Sequence, residues 1–410
     1  FEAVNNLGSL LRGSNIEISE AAWGVFNTSL KTITEDSYKI EAYMGKVVIG
    51  VAWPLYVNGT KVTQKNSSRI SGSGISGTVS YDASSKTLTL NGATINGIGH
   101  NCIQNNGVID LNIKVVGTNN LDIPNEHGMQ LLCLNASTSI TGTGTLNLRT
   151  QNRNYCIRAF NGSTLTINGP TVSGCSQVEA LAFYGNNGKL AVKGTSTKVA
   201  LTPGDGYATV SNMQSFELGS GLYITQPKNV EYSSSLKSFC LTSNSSQALM
   251  NPIIISSTSP GSVTEYGMYI AETMVSSANA SDVLNNGQFS YNNSTKTLTV
   301  KNANLKNSRS LGSGISNREI DGLRIALEGT NTISARMAAI SVKKNTTISG
   351  TGSLDATSTD AYAFYLTGED MACTINGPKI KFTGKNFGLC AYKTTSTLKV
   401  YGTTTDVTLT

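Results

Sequence analysis

Residues 323–342 read LRIALEGTNTISARMAAISV. They open on an apolar, any, apolar triplet (LRI) and close on a short apolar run (AAISV, 338–342), with Gly, Asn and Ser between them. Such runs are strands that face a core on one side and are separated by turns. The opening position recurs: Leu298, Leu323, Ile348, Cys373 and Leu398 are successively 25 residues apart, and most begin the same pattern, as LTV, LRI, CTI and LKV. The closing run recurs as SGISN (313–317), YAFYL (362–366) and GLCAY (388–392). A period in the twenties with strand alternation is the mark of a solenoid. Three runs of about five residues and three turns need about that much chain, so three strands per coil are expected. The expected architecture is all-β, a right-handed parallel β-helix with coils of about 25 residues. Its hand follows from the general preference of parallel crossovers.

The same coil fills the first half. Leu88, Leu111, Ile140, Leu165 and Leu190 follow one another at 23, 29, 25 and 25 residues, with NCIQN (101–105), QLLCL (130–134), YCIRA (155–159) and ALAFY (180–184) as the recurrent runs. The two halves also match each other. YDASSKTL (81–88) falls on YNNSTKTL (291–298) at an offset of 210, and at 208 GTGTL (142–146) falls on GTGSL (350–354), INGP (167–170) on INGP (375–378), and TSTKVAL (195–201) on TTTDVTL (403–409). At 206, Gly13-Ser14 matches Gly219-Ser220, Phe26 matches Tyr232, Leu30-Lys31 matches Leu236-Lys237, and VVI (47–49) matches III (253–255). The chain is therefore two tandem copies of about 206 residues. Its expected divisions are a tail segment at 1–50, a first β-helix at 51–206, a tail and linker at 207–260, and a second β-helix at 261–410. If Tyr56 (LYVNGTKV) and Tyr269 (MYIAETMV) open a unit, residues 1–50 are the tail of another. The tails lack the coil period and carry LYIT and PIII runs, which read as strand pairs that cap or bridge the helices, because a β-helix end exposes unpaired backbone.

Composition fits this scaffold. Of the 410 residues, 14% are charged against a globular norm of roughly 25%, 39% are hydrophobic and 41 are Gly, with a net charge of +6. Abundant Ser, Thr, Asn and Gly exclude an α-rich enzyme. The longest apolar stretch, 44–57, is broken by Lys46, Gly50 and Pro54 and falls short of the ~20 residues of a membrane helix, so no transmembrane segment is expected.

Duplication supplies a test of chemistry, since a site essential to the unit should stand in both copies. The seven cysteines fail it. Cys102 and Cys156 take a slot that other coils fill with Ala180, Gly314, Ala339, Ala363 or Gly388, and no CxxC occurs, so small buried filler is favoured over a metal ligand or a nucleophile. Neither His100 nor His127 is duplicated, which favours turn or surface positions over a general base. Asp110 and Asp321 are the one duplicated acid, and a single Asp is not a hydrolytic dyad. Glu369-Asp370 and Asp355 with Asp360 belong to the second copy only and read as solvated loop. GSGISG (72–77) is followed by strand and turn residues rather than by the helix of a dinucleotide site. No metal and no cofactor is expected. Nucleic acid is disfavoured because no basic run is interleaved with aromatics.

Two candidate ligand-binding sets remain. Arg149, Arg153 and Arg158 lie within one coil of the first copy, where a cationic patch could attract an acidic polysaccharide, although their second-copy positions are Thr357, Ala361 and about Tyr365. Tyr184 and Tyr392 are a duplicated pair, as are Tyr81 with Tyr291 and Tyr56 with Tyr269. Exposed rings stack on the apolar C–H faces of sugars, and Tyr184 and Tyr392 are the ones taken forward, because motif-opening tyrosines such as Tyr81 more often cover a turn.

At YVNGTKV, VSYDASSKTLTLNGATI, TSITGTGTLNL and STLTINGP the chain resembles β-helical, pectate-lyase-like modules of secreted or surface-attached proteins of anaerobic gut bacteria, described as adhesins or carbohydrate-binding proteins. The resemblance covers both copies and implies an extracellular or cell-surface module with a polysaccharide or host-surface glycan as partner; the absence of a duplicated acid, base or metal set favours a non-catalytic module over an enzyme. A lyase or hydrolase acting on an acidic polysaccharide through the 149–158 region is the alternative, and a structural spacer is a third.

Overall fold

The computed structural model describes residues 7, 9–10, 16–20, 25–34, 47–123, 129–150, 154–185, 187–204, 206–307 and 312–410. Every element among them is a β-strand except one 3-10 turn at Pro260–Ser262. In the second half each full coil supplies three strands: Leu323–Glu328, Thr330–Ala335 and Ala338–Val342 are followed by Thr346–Gly350, Ser353–Ser358 and Tyr362–Leu366. Equivalent strands of successive coils pair in parallel and, with antiparallel strands at the opening end of two of them, build three sheets of six, six and five strands. In the first half Thr87–Asn96 spans two of these positions as one strand, pairing in parallel with Leu111–Val116 and with Thr118–Ile123, which joins two sheets into one of thirteen strands. The fold is a parallel β-solenoid.

The pairing corrects the sequence register in one respect. Positions spaced at a strict 25 residues are not the ladder partners: Leu298 pairs with Ile325, Ile325 with Ile348, Ile348 with Ile375 and Ile375 with Val400. Leu323 stands two residues before the true partner of Leu298. A two-residue shift keeps a side chain on the same face of a strand, so the inward apolar pattern survived although the coil length varies.

Inward ladders make two cores. In the first, Leu88, Ile113, Ile140, Ile167 and Val192 stack fully buried; in the second, Leu298, Ile325, Ile348 and Ile375 do so. Phe364 and Phe382 stack at 5.0 Å in the second core. At the small-residue slot, Cys102 and Cys156 are buried and donate their Sγ to the carbonyls of Ile95 and Leu148. A Cβ on Gly314 in this slot would meet Ile333 Cγ2 at 2.4 Å, which is why the slot takes small side chains.

Two duplicated asparagines serve the turns. Buried Asn105 donates to Val108 O and Thr138 Oγ1 and accepts from Val108 N; Asn317 repeats all three bonds with Ile320 and Thr346. Asn119 accepts from Ala93 N and donates to Val116, Gly117 and Thr145 carbonyls, and Asn331 does the same with Ala303, Glu328, Gly329 and Ser353. Each amide supplies partners to backbone groups that the turns leave unpaired in the interior.

Antiparallel strands open each array and cover the end of the first. Val48–Val57 pairs with Thr60–Thr63 and lies antiparallel to Ile103–Asn105; Glu265–Ile270 does the same with Thr273–Ser276 and Ser313–Asn317. At the far end of the first array, Met213–Leu218 adds in parallel to Gly188–Lys193, while Ile253–Ser256 adds antiparallel to Lys198–Thr202 and is itself flanked by Tyr223–Gln226. The arrays touch through Gln226, whose Nε2 donates to Met274 O and whose Oε1 accepts from Ser276 Oγ, and through Asn285 Nδ2 donating to Thr202 Oγ1.

Candidate functional site

The recurrent strands place an aromatic patch at the same coils of both arrays. In Tyr155–Ala159, Cys156, Ile157 and Ala159 are buried, while Tyr155 and Arg158 stand partly exposed on the outer side. Arg158 lies in register between Cys133 and Ala182, so small neighbours on both sides leave its guanidinium free to spread over rings. Its Cζ is 5.0 Å from the Tyr155 ring centroid and 4.9 Å from those of Phe160 and Tyr184. Phe160 and Tyr184 are 5.5 Å apart. Tyr184 extends into solvent at 60% exposure. Burial pushes the Cys133 thiol up to about 11, with Arg158 pulling the other way, so this thiol stays protonated at neutral pH and is no nucleophile.

In the second array Tyr362 and Tyr365 have centroids 4.7 Å apart, and the Tyr362 ring is stacked on Phe387 at 6.2 Å. Phe387 and Tyr392 are the most exposed rings here, and Lys393 Nζ lies 5.2 Å from the Tyr392 centroid. The Tyr365 phenol is raised by burial first, then by its neighbours Cys390, Tyr362 and Tyr392. Tyr155 corresponds to Tyr362 at an offset of 207, and Tyr184 to Tyr392 at 208. In the first patch a cation lies among three rings; in the second the rings meet one another and Lys393 lies over Tyr392.

Arg149 and Arg158 do not share a sheet. Arg149 belongs to Thr145–Thr150 in the thirteen-stranded sheet, whereas Arg158 is in the eight-stranded sheet, and Arg153 lies outside the described residues. Arg149 sits in register between Asp122 and Cys175 and lines a cleft of about 460 Å³ at the junction of the arrays, together with Gln177, Asn286, Gln288, Asn304 and Lys306. Burial raises the Asp122 carboxyl, and Arg149 opposes it. Burial also raises Asp282, against hydrogen bonds from the backbone N–H groups of Gly287 and Asn286 and the charges of Lys198 and Arg149. Both Asp282 oxygens are engaged, at 3.1 Å from Asn286 N and 2.9 Å from Gly287 N, which gives it the work of holding a turn.

The other singled-out groups are accounted for by local structure. Asp321 Oδ1 accepts from Asn345 N and Nδ2; Asp360 pairs with Arg336 at 2.6 Å; Glu369 pairs with Lys393 at 3.1 Å. Tyr81 and Tyr291 are buried, against Trp53 and Tyr266 respectively. The His100 ring lies against Gly59, and His127 is outside the described residues. Among the described residues no group of three or more His, Cys, Asp or Glu is placed to hold a metal ion.

Tyr155, Phe160, Tyr362, Tyr365 and Phe387 were not singled out by sequence reasoning. The 207-residue offset between Tyr155 and Tyr362 was the signal available for the first pair, whereas Phe160 and Phe387 have Thr367 and Glu179 as counterparts and leave no such trace. Comparison with known proteins gives no matching family model, no matching curated sequence and no matching solved structure.

Proposed function

We propose that the protein is a non-catalytic extracellular or cell-surface module that attaches to polysaccharide or host-surface glycan through its two aromatic patches, as an adhesin of the gut-bacterial kind that its motifs resemble. The observation that carries this reading is the recurrence of solvent-facing rings at matching coils, Tyr155 and Tyr184 in one array and Tyr362, Phe387 and Tyr392 in the other. Neighbouring strands of a sheet lie about 4.8 Å apart, so rings on consecutive coils offer consecutive stacking surfaces to a linear glycan. Two weak sites on one chain raise the strength of attachment to a repetitive ligand without any new contact. Arg158 adds attraction for acidic sugars to the first patch. A cleaving activity through the 149–158 region is the weaker reading, because Arg149 and Arg158 belong to different sheets. A glycan array with the intact chain tests the proposal: retention on a defined set of glycans, reduced by Tyr184→Ala or Tyr392→Ala, supports it. Absence of any retained glycan together with turnover of pectin or a glycosaminoglycan overturns it.

A further inference from the structure

Where the two arrays meet, a row of outward side chains on the first runs up to the second. Asp122, Arg149, Cys175 and Thr202 stand in register on successive strands of the first array, and Thr202 Oγ1 accepts from Asn285 Nδ2 of the second at 3.1 Å. The second array contributes Asn304 and Lys306, on the first strand of the five-stranded sheet. The cleft of about 460 Å³ lies at this step, with Arg149, Gln177 and Lys306 exposed at its rim and Leu284, Gln288 and Leu305 buried deeper in. A cleft of this size takes a small molecule, and a few placed polar groups decide which one.

The charge of the lining is one-sided. Among the described residues it holds two cations, Arg149 and Lys306, and no acid, and neither cation makes a salt bridge. Asp122 stands one coil back from Arg149, and Asp282 lies outside the lining with its oxygens held by the Asn286 and Gly287 N–H groups. Gln288 carries the clearest sign of a missing partner. It is 8% exposed and accepts at Oε1 from Asn304 N and Asn286 Nδ2, both at 3.3 Å, while its Nε2 donates to no described residue. A buried donor left unpaired is costly, and this one belongs to the cleft wall.

The coil itself does not require these groups. At an offset of 210, Asn286, Gln288, Asn304 and Lys306 correspond to Ser76, Thr78, Thr94 and Asn96, and at 208 Arg149 corresponds to Thr357. Equivalent strands pair in the same way with either set. A site formed between two copies occurs once, so duplication neither predicts nor excludes it. We infer that the junction cleft binds a sugar carrying an anionic group, carboxylate or sulfate, and that both arrays hold it at once. Arg149 and Lys306 take the anionic group through charge-assisted hydrogen bonds. Gln288 Nε2 donates to a hydroxyl or ring oxygen, and Leu284 and Leu305 give the apolar surface that sugar C–H groups cover. A bare inorganic anion would leave the amide and the leucines unused. Tyr184 and Tyr392 do not line the cleft, so the site is independent of the aromatic patches.

Isothermal titration calorimetry of the 410-residue chain with millimolar glucuronate, glucose 6-sulfate, glucose and inorganic sulfate tests this, with circular dichroism verifying that each variant keeps the wild-type β spectrum. The expected result is binding of glucuronate, glucose 6-sulfate or both, and of neither glucose nor inorganic sulfate; the sugar that binds identifies the anionic group. Arg149→Ala, at an exposed position, should weaken binding about tenfold or more, as the loss of one charge-assisted hydrogen bond. Gln288→Glu keeps the acceptor that holds Asn304 and Asn286 and puts a carboxylate in place of the free donor, so it should abolish binding. The Tyr184→Ala, Tyr392→Ala double variant should bind as the wild type does. No binding of either anionic sugar, glucose or inorganic sulfate bound as tightly, or an affinity that falls in the tyrosine variant and survives in Arg149→Ala and Gln288→Glu would each overturn the inference.

Discussion

The first array presents Arg158 ringed by Tyr155, Phe160 and Tyr184, and the second presents Tyr362, Tyr365, Phe387 and Tyr392 at the matching coils. Beneath both patches the scaffold is nearly unchanged, down to the hydrogen bonds of Asn105 and Asn317. Two copies of one coil thus keep what the backbone demands and vary what faces solvent. Where the variation nonetheless returns an aromatic surface, the requirement lies with the surface itself. The difference between the patches is where the cation lies: Arg158 is surrounded by three rings, whereas Lys393 lies over Tyr392 and pairs with Glu369.

The largest test of the comparison is in the cores. Ile157 and Phe364 occupy matching buried positions, and Phe364 also stacks on Phe382. Phe364→Ala should cost about 3–5 kcal/mol and Ile157→Ala about 2–5 kcal/mol. In urea denaturation the second-array variant should show the greater loss, and equal losses would say that the two cores are packed alike. Next come the turn asparagines. Asn105→Ala and Asn317→Ala each strand buried backbone groups, with an expected loss of about 1–3 kcal/mol apiece and similar falls in Tm, whereas unequal falls would break the equivalence of the arrays. Arg158→Ala removes contacts worth about 0.5–1 kcal/mol each at an exposed site. Affinity of the first patch for an acidic glycan should drop several-fold and lose its salt dependence, with binding through the second patch unchanged.

The smallest effect concerns Asp122, in a coil of the first array. Burial lifts its carboxyl above the range of an unfolded chain, more than Arg149 lowers it. The folded state therefore holds this proton more tightly than the unfolded state does. The stability this gives is present at low pH and is lost as the pH rises through the folded value. Asp122→Asn should raise Tm slightly near pH 7, and the gain should vanish below about pH 4, the ordinary aspartate range. A gain that grows on acidification would reverse the sign.

The coil was legible because inward positions alternate and recur, so Leu298, Ile348 and Leu398 stood out even though their true ladder partners sit up to two residues away. Tyr184 was legible through Tyr392. The rest of the patches was hidden for a physical reason: side chains that meet across adjacent coils are about 25 residues apart in sequence, and outward positions carry no burial constraint to fix their type. Arg149 and Arg158 show the converse: they are close in sequence within one coil yet stand on different sheets.

Retention on immobilised glycan by the chain carrying Tyr184→Ala, Tyr392→Ala or both tests the central claim most directly. Two patches acting through ring stacking, at about 1 kcal/mol for each exposed contact, predict that each single variant weakens binding about fivefold and the double variant about thirtyfold, with the wild-type Tm kept. Unchanged retention by the folded double variant would contradict the account.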